Sequence, residues 1–250
     1  MKRLGFLLLG ATWVAAAWAC SSSDSSSGGS SGASAQDGGG GEASSDAGTS
    51  GTQCSKQREK LLNPIAKVST GEVMVVSQTG NTKVLYIDAS AGGAAGAATR
   101  PRTFVNLERG ARVDVSDPDS LTSTDWDLAL KRTVIYTNGG EGGPGQGAAV
   151  QLVKGFSSVT AADLDKATPE KFFDADCVAL PNPIGDPPTT FADWYNYDQA
   201  TNIPTPKTVT YGVIGGTGKK YKVAIESYSA QKDGGVGSAT GIFLVKVEAL

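Results

Sequence analysis

The sequence predicts a mainly β domain, with one or two short helices, carried on a polar tether behind an export signal. Three observations point there. From residue 73 onward, short apolar and alternating runs recur at even spacing, divided by glycine turns. No strand–helix–strand alternation interrupts them. Residues 21–53 hold Ser, Gly, Ala, Thr, Asp, Glu and Gln alone, so they cannot bury enough apolar surface to offset their ordering entropy.

The N-terminus reads as three zones. Lys2 and Arg3 precede the apolar run LGFLLLGATWVAAAWA, which ends in small residues. A basic start, an apolar centre and a small-residue end make a secretory signal over 1–19. The run falls short of the ~20 apolar residues needed to span a bilayer. Two cleavage patterns fit. Ala17-Trp18-Ala19 suits ordinary A-x-A processing, and the same residues before Cys20 resemble a lipobox, with Ala17 where Leu is usual. Cysteine parity favours lipidation of Cys20. The chain has three cysteines, and lipid on Cys20 leaves Cys54 and Cys177 as a candidate disulfide. Whether those two meet is a tertiary question. Residues 20–53 then form a lipidated, flexible tether with a random-coil span on the order of 30 Å.

The folded domain covers 54–250. KQREKLL predicts a short helix, stopped by Asn63-Pro64. Strands 73–78 and 83–89 flank Thr79-Gly80-Asn81 as a hairpin, and strands 102–108 and 112–116 flank Gly110. A strand over 126–138 puts Trp126, Leu128, Leu130, Val134 and Tyr136 on one face at period two, with Arg132 interrupting it. The loop GGEGGPGQG (139–147) leads to a strand at 148–155, and is expected to be a flexible link between adjacent antiparallel strands. Thr160 can cap a helix at 161–167, and Thr168-Pro169-Glu170 reads as a second helix start. Residues 181–206 are rich in Pro, Asn and Asp and should be irregular. Strands at 207–215, 220–230 and 241–250 close the domain around two glycine turns.

Composition excludes much chemistry. The chain contains no histidine, which removes Ser-His-Asp and Cys-His machinery and most zinc sites. The glycine loop is followed by a strand rather than a helix, and no Gly-Lys-Ser/Thr is present, so it is not a phosphate loop. Asp114, Asp117 and Asp119 lack the calcium-loop pattern and read as a solvated turn. The net charge of −3 becomes −5 without Lys2 and Arg3, and no basic patch invites nucleic acid. A membrane would be met through the acyl chains of Cys20. Enzyme activity is not expected.

Three blocks carry a family resemblance. DWDLALKRTVIYTNGG (125–140) with GPGQGAAV (143–150) resembles the most distinctive segment of the HmuY family of exported haem-capturing lipoproteins. YGVIGGTGKKYKVAIESY (211–228) with GIFLVKVEAL (241–250) is similar to the family's closing strands, and WYNYDQATNIPTPK (194–207) matches more softly. The resemblance covers roughly 65–250. It implies a β-rich domain with a haem-holding cleft, an outer-membrane or cell-surface location, and an outer-membrane receptor or haem-carrying protein as partner. Relatives hold haem iron with two axial His or Met side chains. This chain has no His, and its only Met beyond Met1 is Met74. The resemblance implies that relatives often carry His in the segment that here reads ATNIPTP, with Asn202 in its place. The remaining candidate ligands are Met74, Tyr195, Tyr197 or a reduced Cys, with Trp194 as a further lining candidate. Met74 also reads as core filler, and the three aromatics as core under a long loop. The alternative function is a lipoprotein that keeps the scaffold but binds a different ligand or a partner protein.

Overall fold

The computed structural model describes residues 54–180, 182 and 185–250. The signal segment, Cys20 and the tether lie outside the described residues. Helix α1 (Ser55–Leu62) ends where expected: Asn63 turns left-handed at φ 44° and caps onto the Glu59 carbonyl, and Pro64 cannot continue the helix. A single turn, α2 (Gly93–Gly96), comes much later. No described helix is long and apolar enough to cross a membrane.

The described residues form twelve strands: β1 (Val73–Thr79), β2 (Thr82–Asp88), β3 (Thr103–Asn106), β4 (Ala111–Val113), β5 (Leu128–Lys131), β6 (Val134–Thr137), β7 (Ala148–Leu152), β8 (Tyr195–Asp198), β9 (Ile203–Pro206), β10 (Thr210–Ile214), β11 (Lys220–Ser227) and β12 (Ile242–Ala249). One sheet runs β1-β2-β12-β11-β10-β7, a second runs β4-β3-β5-β6, and β8 with β9 makes a separate ribbon. Every ladder between these strands is antiparallel. The domain is therefore mainly β, as its strand-and-glycine pattern predicts.

The two larger sheets pack face to face. Leu85, Ile87, Val213, Val223, Phe243 and Val245 of the six-stranded sheet share one core with Val105, Leu128, Leu130 and Ile135 of the four-stranded sheet. Each such fully buried aliphatic or aromatic side chain contributes ~1.5–3 kcal/mol relative to exposure. The far face of the four-stranded sheet carries Phe104, Trp126, Ala129 and Tyr136, and is covered by Leu62, Phe172 and Phe173. The Cys54–Cys177 disulfide forms and ties the start of α1 to this cover. The outer face of the six-stranded sheet carries a smaller cluster of Tyr86, Ala230 and Leu244, with Met74 and Val84 packed beside it.

Several expectations change. The strand expected over 126–138 is a hairpin. Lys131 pairs with Val134, so Arg132-Thr133 is a two-residue turn with Arg132 at φ 54°. The reversal switches the face of the residues beyond it: Leu128 and Leu130 point into the inter-sheet core, while Val134 and Tyr136 pack on the opposite side with Trp126. The glycine loop does not join neighbouring strands, because β6 and β7 belong to different sheets. Thr168 and Glu170 make isolated bridges to Ala149 and Gly140 instead of starting a helix. The segment after Thr160 is a 3-10 helix with the expected cap, a reciprocal Thr160–Asp163 box. Residues 181–206 contain the β8–β9 ribbon. Asp117 is not solvated: it is buried against the Arg102 guanidinium at 3.1 Å.

Candidate functional site

The most distinctive sequence block turns out to be architectural. Trp126 is fully buried and donates its indole N–H to the Ser120 carbonyl at 3.0 Å. Asp127 accepts the Leu107 and Gly216 amides at 2.7 and 3.0 Å, and burial raises its pKa. Asn138 is a buried hub. Its Nδ2 donates to the Ser123 and Trp126 carbonyls, its Oδ1 accepts the Gly145 amide, and its carbonyl accepts the Gly147 amide. The glycine loop winds tightly around it: a Cβ on Gly143 would lie 2.2 Å from Asn138 Oδ1, and one on Gly147 2.4 Å from the Asn138 carbonyl. Of Asn138, Gly139 and Gly140, Gly140 alone takes a positive φ, at 59°. Arg132 reaches out of its turn to Thr240 and lies over the Tyr228 ring. These residues set the relation of the two sheets and form no open site.

A roomy cleft opens elsewhere. It measures about 710 Å³, against about 410 Å³ for the cleft beside Gly71 and about 350 Å³ for the one beside Tyr221. This size falls within the ~300–1,000 Å³ typical of small-molecule sites. Three segments build it. Leu152 to Phe156 run off the end of β7, Pro206 to Thr210 link β9 to β10, and Ala224 to Glu226 come from β11. Val153 is fully exposed at the tip of the first segment. Phe156 opens a 3-10 turn, and the ammonium groups of Lys222 and Lys246 lie 5.0 and 4.7 Å from its ring centroid.

Two lysines stand at the rim, one from each loop. Lys154 pairs with Asp163, the residue that also closes the Thr160 cap, and this contact is the main reason the Asp163 pKa is held down to about 2. Lys207 pairs with Asp193, and its amide donates to the Trp194 carbonyl at 2.9 Å. Each ammonium is thus oriented by an aspartate and still part-exposed, with donors to spare.

The ligand candidates from the sequence do not converge on this cleft. Trp194 is fully buried in the inter-sheet core, donates its indole N–H to the Thr133 carbonyl at 2.9 Å, and packs on Tyr195, Tyr228 and Phe243. Tyr195 is half-buried beside it, and burial raises its pKa. Tyr197 is exposed on the ribbon and donates its hydroxyl to Asn202 at 2.7 Å. Met74 pairs in register with Tyr86, and Tyr86 with Leu244, so it lies on the outer sheet face. Phe243, the neighbour of Leu244, faces Trp194 on the other side. Met74 and Trp194 are therefore separated by the sheet. Trp194 and Tyr195 do touch, and through Lys207 they support one rim of the cleft.

The cleft suits part of a haem and not its metal. Its lining mixes apolar side chains with two part-exposed lysines. Among the described residues, no Met, Tyr or Cys lines it, the chain has no His, and Cys54 and Cys177 are bonded to each other. Met74, three strands across the sheet from β11, is ~14 Å away at the usual strand spacing. Among the described residues no His, Cys, Asp and Glu cluster is arranged to hold a metal ion. Sequence reasoning passed over Lys154, Phe156 and Lys207. The signal was the string LVKGF, where an apolar pair brackets Lys-Gly directly after a strand.

No protein-family model and no curated protein matches this chain. Among solved structures it is similar to a candidate HmuY-like heme-binding protein from Bacteroides vulgatus, at 18% identity over 71% of this chain and 96% of that one, with a TM-score of 0.45. It is similar to a candidate lipoprotein from Bacteroides fragilis, at 16% identity over 71% and 94%, with a TM-score of 0.43. It is also similar to the apo form of an HmuY analog from Tannerella forsythia, at 17% identity over 69% and 99%, with a TM-score of 0.44.

Proposed function

We propose that this chain is an exported, lipid-anchored capture protein of HmuY type, whose cleft beside the β8–β9 ribbon takes haem or another tetrapyrrole. One observation carries the reading. Two of the three sequence blocks that resemble the HmuY family supply walls of this cleft: Pro206 and Lys207 from 194–207, and Ala224 to Glu226 from 211–228. The third block locks the sheets that hold those walls in place.

The role proposed is binding. The buried carboxylates Asp127 and Glu170 are engaged by backbone amides, and neither lines the cleft. The anchor is assigned to Cys20, with the tether lifting the domain from an outer membrane or cell surface. A titration of the tethered Cys20→Ser protein with ferric haem, followed at the Soret band, tests the ligand class. One-to-one saturation at micromolar haem is the expected result. No saturable uptake of haem, whether read at the Soret band or by quenching of tryptophan fluorescence, would leave the alternative, a scaffold turned to a different ligand or to a partner protein.

A further inference from the structure

Resting on that reading, we infer that the cleft grips a porphyrin by its apolar body and its two carboxylates and leaves the metal unligated, so that metal-free porphyrin binds as well as haem. The lining residues carry the first half of this. Leu152, Val153 and Phe156 present apolar side chains to the cleft, backed by Val209 and by Ile225, which is buried in the inter-sheet core. Iron in haem proteins is held by His, Met, Cys thiolate or Tyr, and the lining has none of these. The distant candidates are otherwise engaged: Met74 is packed on Tyr86 and Leu244, and the Tyr197 hydroxyl is donated to Asn202.

The rim provides the polar half of the recognition. Lys154 and Lys207 come from different loops, and each keeps ammonium donors free beside its aspartate. A ligand with two carboxylates can accept a charge-assisted hydrogen bond from each. Glu226 is the one acidic residue in the lining. It opposes a ligand with more than two negative groups, which favours a dicarboxylate over more highly carboxylated tetrapyrroles.

If iron makes no bond to the protein, it adds nothing to the difference between bound and free ligand. Protoporphyrin IX and ferric haem should therefore bind the tethered Cys20→Ser protein within about threefold of each other. Bound haem should lack the low-spin spectrum of a six-coordinate iron. Lys154→Gln and Lys207→Gln should each weaken both ligands by roughly tenfold, since a charge-assisted bond is lost in either case. Both lysines are part-exposed, so circular dichroism should show the variants folded. Haem binding a hundredfold or more above protoporphyrin, with a six-coordinate spectrum, overturns the inference and leaves tetrapyrrole capture standing. Equal binding that neither lysine variant weakens overturns the assignment to this cleft. If neither porphyrin binds, the capture reading falls along with it.

Discussion

At Glu170 a single side chain carries an ionisation that the fold disfavours. Its carboxylate is buried and accepts the Thr137 amide and hydroxyl at 2.9 and 3.2 Å, with no cation paired to it among the described residues. Burial is the main cause of a pKa raised from 4.5 to about 7. The folded chain therefore keeps a proton that the unfolded chain has already lost between pH 4.5 and 7. Across that window stability falls as pH rises, and it levels off above 7, for a total on the order of 3 kcal/mol. Glu170→Gln cannot titrate, so urea denaturation of the variant should show a smaller loss of stability from pH 5 to pH 8. Parallel pH profiles for the two proteins would assign the slope to other groups. Asn138 shows the same scale from the neutral side. It satisfies its amide wholly within the protein, so it serves packing and is not available to a ligand.

Among the elements, the β5–β6 hairpin shows how far periodicity can be trusted. The apolar alternation from Trp126 to Tyr136 was legible, and Arg132 was the visible break in it. What one sequence does not reveal is whether such a break is a polar guest in a strand or the corner of a turn; the long-range partners of Arg132, at Thr240 and Tyr228, decide for the turn. The cover of the four-stranded sheet depends on a second tertiary contact. Cys54 and Cys177 close a loop of 123 residues and fasten α1 to the segment that carries Phe172 and Phe173. In the chain-entropy model a loop of that size is worth ~4–5 kcal/mol, and measured losses run ~2–5. The Cys54→Ser, Cys177→Ser protein should unfold at correspondingly lower urea, and reductant should bring the parent protein to the same midpoint. An unchanged midpoint would mean that packing alone holds the cover.

For the whole molecule, the sheets make a scaffold whose distinctive motif supplies none of the residues that line its opening. The cleft is assembled from residues near 153, 207 and 225, which meet because β7, β10 and β11 are neighbours in one sheet. No local pattern joins the three segments, and Lys154 and Lys207 look like ordinary solvated charges in the sequence. The proposed anchor belongs to this scale as well. Cys20→Ser should move the protein from the membrane fraction to the soluble fraction after export, as read by fractionation and blotting. Unchanged membrane association would remove the lipid from the account. Stable anchoring needs more than one acyl chain, and no polybasic segment is present to help, so the expected release is nearly complete.

Local rules acting along the chain were enough for the mainly β class, the end of α1 at Asn63-Pro64, the Thr160 cap and the hairpins at Gly80 and Gly110, and they set the expectation of an export signal and a polar tether. Each rests on composition, on side-chain period, or on the φ that Asn, Gly and Pro allow. The lack of histidine, also plain in the sequence, excludes axial ligation by two His. Long-range contacts settled the rest. They split the 126–138 run into a hairpin, sent the glycine loop from one sheet to the other, brought Cys54 to Cys177, and placed Met74 and Trp194 on opposite sides of a sheet. Those outcomes depend on pairing between residues distant in the chain, whose burial and hydrogen-bond energies no short window contains.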